Sequence, residues 1–135
     1  MIVVANTTPI LSLASVGHLD VLRQMFGRIT LAPAVYAEIK AKPAFGFSEV
    51  DADWAEVQAI EGRAYRDTLL STLDPGEAET LALARDLSAD WVIIYEDLGY
   101  RMAVQSGLPA VRTLSLLLRA KQTGLLSEVR PLIDA

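Results

Sequence analysis

The stretch that most restricts the possible folds reads IVVANTTPIL and covers residues 2–11. Its first four residues are apolar, two of them valine, and predict a short strand buried on both faces. Asn6 and Thr7 end this strand. Thr8 is suited to cap a helix, and Pro9 to begin it, because the missing N–H of proline has no partner there anyway. In an α/β sheet, such a strand–turn–helix junction lies at the carboxyl end of the strand, where ligands bind.

Outward from this stretch, strand and helix patterns alternate along the chain. Short apolar runs predict strands at 29–31, at an edge over 54–60, and at 91–95 and 109–112. Apolar periodicity predicts helices at 9–14, 19–26, 33–40, 61–73, 75–87, 98–106, 114–122 and 127–134. The repeated β-α order predicts an α/β fold with a mainly parallel sheet and helices on both faces. With no linker or internal repeat visible, we expect one domain over residues 1–135.

Two helix starts and one loop stand out. Asp74, Pro75 and Glu77 occupy the cap, first and third positions of a capping box. Thr113 is expected to cap the helix that follows the last strand. The segment 42–47 interrupts regular structure with proline and glycine, and it is predicted to be a mobile loop.

The composition limits the chemistry that this chain can perform. There are no cysteines and one histidine, His18, so disulfides, thiolate metal sites and a His-rich zinc site within one chain are excluded. We interpret His18 as a surface or helix-capping residue. A metal ion would have to prefer oxygen ligands, as magnesium and manganese do. The net charge of −5 disfavours nucleic-acid binding by bulk charge, but not an enzyme whose carboxylates surround a metal ion.

The hydropathy pattern gives no sign of a membrane segment. No apolar run approaches the roughly 20 residues of a membrane span. The N-terminus lacks the charged and apolar regions of a signal peptide. We therefore expect a cytoplasmic protein.

Parallel topology predicts that certain polar side chains converge. The carboxyl ends of parallel strands share one edge, and the returning helices begin at that edge. The residues placed there are Asn6, Glu38, Glu77 or Glu79, and Asp97 or Glu96. Crowded carboxylates resist ionising together. A divalent cation removes this conflict and can activate water for phosphodiester hydrolysis.

Each acidic residue also has a structural explanation, which the sequence leaves open. Glu77 could serve to complete the capping box and have no other role. Glu38 and Glu79 could face solvent, and Glu96 and Asp97 could favour the positive end of the next helix.

In the order of several of its segments, the chain resembles the PIN domain, a nuclease fold found in many bacterial and archaeal toxins. It is most similar to a branch often described only as predicted nucleic-acid-binding proteins. The segments that carry the resemblance are VANTTPIL (4–11), PAVYAEI (33–39), LDPGEAE (73–79), IIYED (93–97) and RAKQTGLL (119–126). They span nearly the whole chain, and their order is more specific than any one of them.

The resemblance implies a three-layer α/β/α sandwich and a Mg²⁺- or Mn²⁺-dependent endoribonuclease that cuts RNA with a metal-activated water. It also implies the toxin of a toxin–antitoxin pair, with a cognate antitoxin as partner and a homodimeric state.

The family's site residues can be carried over by position. The four acidic positions fall on Asn6, Glu38, Glu77 and Asp97, with Glu79 and Glu96 as neighbouring alternates. Thr7 is expected to help to orient a ligand. The candidates for phosphate contacts are Arg101, Arg112 and Lys121, each of which could equally be an exposed charge.

Asn6 is the main departure from the family pattern, because active PIN nucleases typically have aspartate there. Its amide oxygen can ligate a metal but supplies no charge. Tyr95 also replaces a small hydroxyl residue. The alternative function is therefore a PIN-like nucleic-acid-binding or regulatory module with weak or no catalysis.

Two other α/β folds fit the sequence less well. A phosphate-accepting receiver needs a lysine where the last strand ends at Arg112, and a dinucleotide-binding fold needs a glycine-rich loop after the first strand.

Overall fold

The computed structural model describes residues 1–94 and 97–122, without the side chains of residues 97, 114, 117 and 120–122. Its five strands form one parallel sheet in the order β3-β2-β1-β4-β5. The strands are β1 (Val3–Ala5), β2 (Ile29–Leu31), β3 (Ala55–Val57), β4 (Trp91–Ile94) and β5 (Ala110–Arg112). The architecture is the predicted α/β/α sandwich with a parallel central sheet.

The described helices form the two outer layers of the sandwich. They are α1 (Thr7–Ser15), α2 (Asp20–Phe26), α3 (Pro33–Lys40), α4 (Arg63–Leu69), α5 (Pro75–Asp86), α6 (Asp97–Gln105) and α7 (Thr113–Gln122), with a 3₁₀ turn at Glu49–Asp51. The 3₁₀ turn was not predicted. Residues 41–48 form turns and bends without helix or strand, as predicted for 42–47.

The core lies on both faces of the central strands. Strand β1 is fully buried and pairs with β2 on one side and β4 on the other. Val4 lies opposite Thr30 of β2 and Val92 of β4, so the three strands are in close register. Their carboxyl ends therefore lie side by side, and this edge holds the start of the helix that follows each strand.

The first helix begins two residues earlier than predicted. The helix starts at Thr7, so Asn6 is its N-cap and Pro9 is its third residue; the prediction of Thr8 as the cap was wrong. Asn6 has extended backbone angles because it continues the direction of β1. Pro9 is tolerated because the first four N–H groups of a helix have no partner within it.

Thr113 does not act as the predicted cap. Helix α7 begins at Thr113 itself, and the buried Thr113 hydroxyl has no hydrogen-bond partner within the described residues. A residue that has already entered the helix cannot turn its side chain back to the N–H groups of the first turn in the way that a cap does.

Helix α4 is shorter than the predicted 61–73. The backbone N–H groups of Glu61 and Gly62 donate to the carboxylate of Asp86, at 2.7 and 3.1 Å, and hold a turn in front of the helix. The predicted edge strand 54–60 is likewise reduced to β3. The strand residue Tyr95 and the predicted helix at 127–134 lie outside the described residues.

Within residues 1–94 and 97–122, no helix is both long enough and apolar enough to cross a bilayer.

Candidate active site

The first element of the site is the turn at the end of β1. The backbone N–H of Asn6 donates to the carbonyl of Ile93 at 3.0 Å. This bond holds the β1–α1 turn against the end of β4. The side chain of Asn6 is 2% exposed. The amide of Asn6 is therefore a buried polar group beside the place where α6 begins.

A polar groove of about 570 Å³ opens at this edge of the sheet. Its walls come from the starts of α1, α5 and α6 and from the middle of α3. It is lined by Asn6, Thr7, Thr8, Glu38, Asp74, Glu77, Leu98 and Arg101. The structure thus brings together residues that are up to 95 positions apart in the sequence, between Asn6 and Arg101.

Glu38 reaches the groove from the second turn of α3. Its Oε2 accepts a hydrogen bond of 2.7 Å from the hydroxyl of Thr7. Its carboxylate lies against Gly76, where a Cβ atom would come within 2.5 Å of Oε1. Gly76 therefore leaves the space that the Glu38 carboxylate occupies. A hydrogen bond on one side and this space on the other set the position of the Glu38 carboxylate.

Glu77 takes part in the capping box of α5 and also lies close to Gly99 of α6. Its backbone N–H donates to Asp74 Oδ1 at 2.8 Å, and its Oε1 accepts from the N–H of Asp74 at 3.2 Å, which completes the predicted capping box. Its Oε2 lies where a Cβ at Gly99 would approach to 3.2 Å. Capping α5 and lining the groove are therefore compatible, and Gly99 places the first turns of α6 beside Glu77.

Asp97 begins α6, three positions along the chain from Ile94, the last residue of β4. Its side chain is outside the described part of the molecule, as is the whole of Glu96. The assignment of Asp97 as the fourth acidic position, with Glu96 as its alternate, stays a prediction.

Glu79 does not line the groove. Its Oε1 accepts a hydrogen bond of 2.8 Å from the backbone N–H of Ala34 at the start of α3. Its Oε2 lies 3.3 Å from the guanidinium of Arg66 on α4. Glu79 therefore joins α5 to α3 and α4. Glu79 thus neither faces solvent nor lies in the groove, where the alternate metal ligand was expected.

A family model described as PIN domain matches residues 2–135. This chain belongs to the PIN domain family. The family has a nuclease-like fold, generally uses divalent metal ions and binds nucleic acid. No curated protein matches the sequence.

The donors of this PIN domain are suited to an oxygen-preferring ion. Glu38 and Glu77 contribute carboxylates and Asn6 an amide, and glycines at 76 and 99 leave room for the two carboxylates. The described side chains include no group of three His, Cys, Asp or Glu residues placed to hold a metal. Mg²⁺, however, keeps several waters and is often bound through only one or two carboxylates. The described donors thus fit a divalent ion that prefers oxygen ligands.

The predicted basic residues have three different outcomes. Arg101 lines the groove of the PIN domain and makes no ion pair with another described residue. Arg112 does not line it, because its guanidinium lies 4.4 Å from the ring centroid of Tyr100. The side chain of Lys121 is outside the described part of the chain. Of the three predicted basic residues, Arg101 is therefore the one that the structure shows lining the groove together with Glu38 and Glu77.

Sequence reasoning missed the two glycines that shape the groove. Gly76 and Gly99 both lie within helices, where glycine is intrinsically unfavourable. A glycine inside a helical pattern can signal the close approach of another group. This signal was present in the sequence, but it did not reveal which side chain approaches.

Proposed function

We propose that this PIN-domain protein is a metal-dependent endoribonuclease. The observation that carries the proposal is the meeting of Glu38, Glu77 and Asn6 around one open groove at the carboxyl edge of the sheet. A groove that is open to solvent can admit a polymer such as RNA. The presence of Arg101 on the same groove offers a positive charge to a phosphate group.

Five of the residues that line the groove have a defined part in this proposal. Glu38, Glu77 and Asn6 would hold Mg²⁺ or Mn²⁺, together with Asp97 as the fourth position. When bound, the ion lowers the pKa of a water molecule and stabilises negative charge on the phosphodiester. The hydroxyl of Thr7 orients the carboxylate of Glu38 through their 2.7 Å hydrogen bond. Arg101 attracts the RNA backbone into a groove that is otherwise acidic.

The direct test is RNA cleavage in Mg²⁺ or Mn²⁺ by the wild type and by Glu38→Gln. The substitution keeps the size of the side chain but removes its charge, so we expect a loss of about 100-fold or more in rate, equivalent to about 2.7 kcal/mol. Glu61→Gln is the matched control, since Glu61 is an exposed glutamate that does not line the groove. Equal rates in the wild type and Glu38→Gln would refute the assignment.

One observation favours a second function, a PIN-like binding or regulatory module with little turnover. Asn6 is neutral, and aspartate in its place would add a charge to the metal site. The comparison of wild type with Asn6→Asp separates the two functions. A wild type that binds RNA without cutting it, together with a variant that cuts it, would identify the protein as a binding module derived from an enzyme.

We extend the proposal to the biological role that the resemblance implies, the toxin of a toxin–antitoxin pair that acts as a homodimer. Induced expression in a bacterial host should then arrest growth, and Glu38→Gln should abolish the arrest. Growth arrest of equal strength by both forms would contradict this role. Light scattering of the purified protein tests the homodimer separately.

A further inference from the structure

Thr80 lies behind the amide of Asn6, on the second turn of α5. Both residues are buried, Thr80 completely and Asn6 to all but 2%. The Thr80 hydroxyl oxygen is 2.7 Å from the carbonyl of Gly76 and 3.5 Å from the side-chain Oδ1 of Asn6. A hydroxyl has a single hydrogen to donate, so it can serve only one of these two oxygens.

The distances decide which oxygen receives the hydrogen. The 2.7 Å bond to Gly76 is the familiar contact of a helical threonine with the carbonyl four residues earlier. At 3.5 Å, the contact with Asn6 is the longer of the two, and this separation applies to whichever amide atom of Asn6 faces the hydroxyl. The hydrogen therefore points to Gly76, and the side of the Thr80 oxygen that faces Asn6 carries a lone pair.

A lone pair facing the amide favours one of its two orientations. The oxygen and nitrogen of an asparagine side chain exchange places on a half-turn with almost no change in shape, and the hydrogen-bond network determines which is correct. With its nitrogen towards Thr80, Asn6 donates a long hydrogen bond, of about 3.5 Å, to the hydroxyl oxygen. With its oxygen towards Thr80, two acceptors face each other, and Nδ2 has no hydrogen-bond partner within the described residues.

Building on the proposed metal-dependent function, we propose that Thr80 is the positioning residue of Asn6. By accepting a hydrogen bond from Nδ2, it turns the carbonyl oxygen Oδ1 towards the groove that Glu38 and Glu77 line. The amide then offers a metal ion the same type of atom as a carboxylate would, although without the charge. Thr80 thereby makes asparagine usable at a position where aspartate needs no orientation, because its two oxygens are equivalent.

The first test measures the Asn6 side-chain amide protons by NMR in the protein without added metal. In the wild type, we expect one Hδ2 proton to be shifted and protected from exchange with water by its bond to Thr80. Thr80→Val should remove this difference, whereas Thr80→Ser, which keeps the hydroxyl, should retain it. Two freely exchanging Hδ2 protons in the wild type would overturn the proposal, even if Thr80→Val did not fold.

The second test measures Mn²⁺ binding by the loss of the free-ion signal in electron paramagnetic resonance. Groups that orient a ligand typically contribute 10- to 100-fold to metal affinity, so Thr80→Val should weaken binding by about tenfold or more. In an Asn6→Asp background, the same change should have an effect of less than about threefold, well below that range. Equal losses in both backgrounds would show that Thr80 only supports the fold, and would overturn the proposal.

The two tests separate this inference from the proposed function. If the wild type binds no Mn²⁺, the proposed endoribonuclease fails, while the amide protons still report which way Asn6 points. If Mn²⁺ binds but the amide protons are unprotected, the nuclease proposal survives and Thr80 is not the positioning residue.

Discussion

Gly76→Ala is the substitution that most directly tests how the groove is built. A Cβ atom at this position would lie 2.5 Å from Glu38 Oε1 and 2.9 Å from Oε2, and these contacts belong to the end of a flexible side chain. Ordinary contact begins at 3.4 Å, so the carboxylate has to move by about 0.9 Å, the difference between the two distances to Oε1. The fold itself has no need to change.

The expected result is a separation of activity from stability. A misplacement of about 1 Å can reduce a rate by about 100-fold, or about 2.7 kcal/mol in the barrier. Alanine in a helix is more favourable than glycine by about 0.5–1 kcal/mol, and Gly76 has no positive φ that would oppose the change. We therefore expect RNA cleavage to fall by about 100-fold while the free energy of unfolding stays equal or rises.

The assays are initial cleavage rates in Mn²⁺ and urea unfolding of the same preparations. Gly62→Ala is the matched control, because its Cβ would also meet a carboxylate, that of Asp86 at 2.9 Å, but outside the groove. This control should change stability and leave cleavage within about twofold, far from the 100-fold effect at the groove. If Gly76→Ala cleaved RNA at the wild-type rate, the reasoning would be refuted, because the position of the Glu38 carboxylate would then not affect the rate.

Two further predictions concern the frame around the groove. Glu79→Gln should lower the free energy of unfolding by about 1–2 kcal/mol, measured by urea unfolding, because the N–H of Ala34 loses its charged acceptor; no change would contradict the structural role of Glu79. The hydrogen bond from Lys40 holds the pKa of Asp51 below its usual value of 3.8. The stabilisation that this interaction gives is present above pH 3.8 and is lost as the pH falls through the lower pKa of the folded state. Lys40→Met should raise the pKa of Asp51 in an NMR titration, and an unchanged pKa would contradict this assignment.

Local sequence was enough to predict the elements and their direction. Apolar runs and capping signals gave the strands and most helices, because both depend on residues close together in the chain. The parallel order then predicted that Asn6, Glu38, either Glu77 or Glu79, and either Asp97 or Glu96 meet at one edge. The family resemblance was carried by the same segments, and the family model confirms it over residues 2–135.

The ends of elements and the roles of individual side chains depended on tertiary contacts. Asn6 rather than Thr8 occupies the N-cap position of α1, without a capping hydrogen bond from its side chain, because the pairing of β1 with β4 sets the backbone at Asn6. Thr113 begins α7 instead of capping it. In both cases, the sequence contains a suitable capping residue, but the backbone angles that make it a cap are set by the sheet.

The acidic residues of α5 show the same limit most clearly. Glu77 and Glu79 are two positions apart, so at about 100° per residue they point in nearly opposite directions around the helix. The sequence shows that they differ in direction, but it does not show which one faces the groove. That is decided by α3 and α4, which offer the N–H of Ala34 and the guanidinium of Arg66 to Glu79 and leave the other side of α5 open. Sequence determined the set of polar residues at this edge, and packing between distant helices decided which of them line the groove.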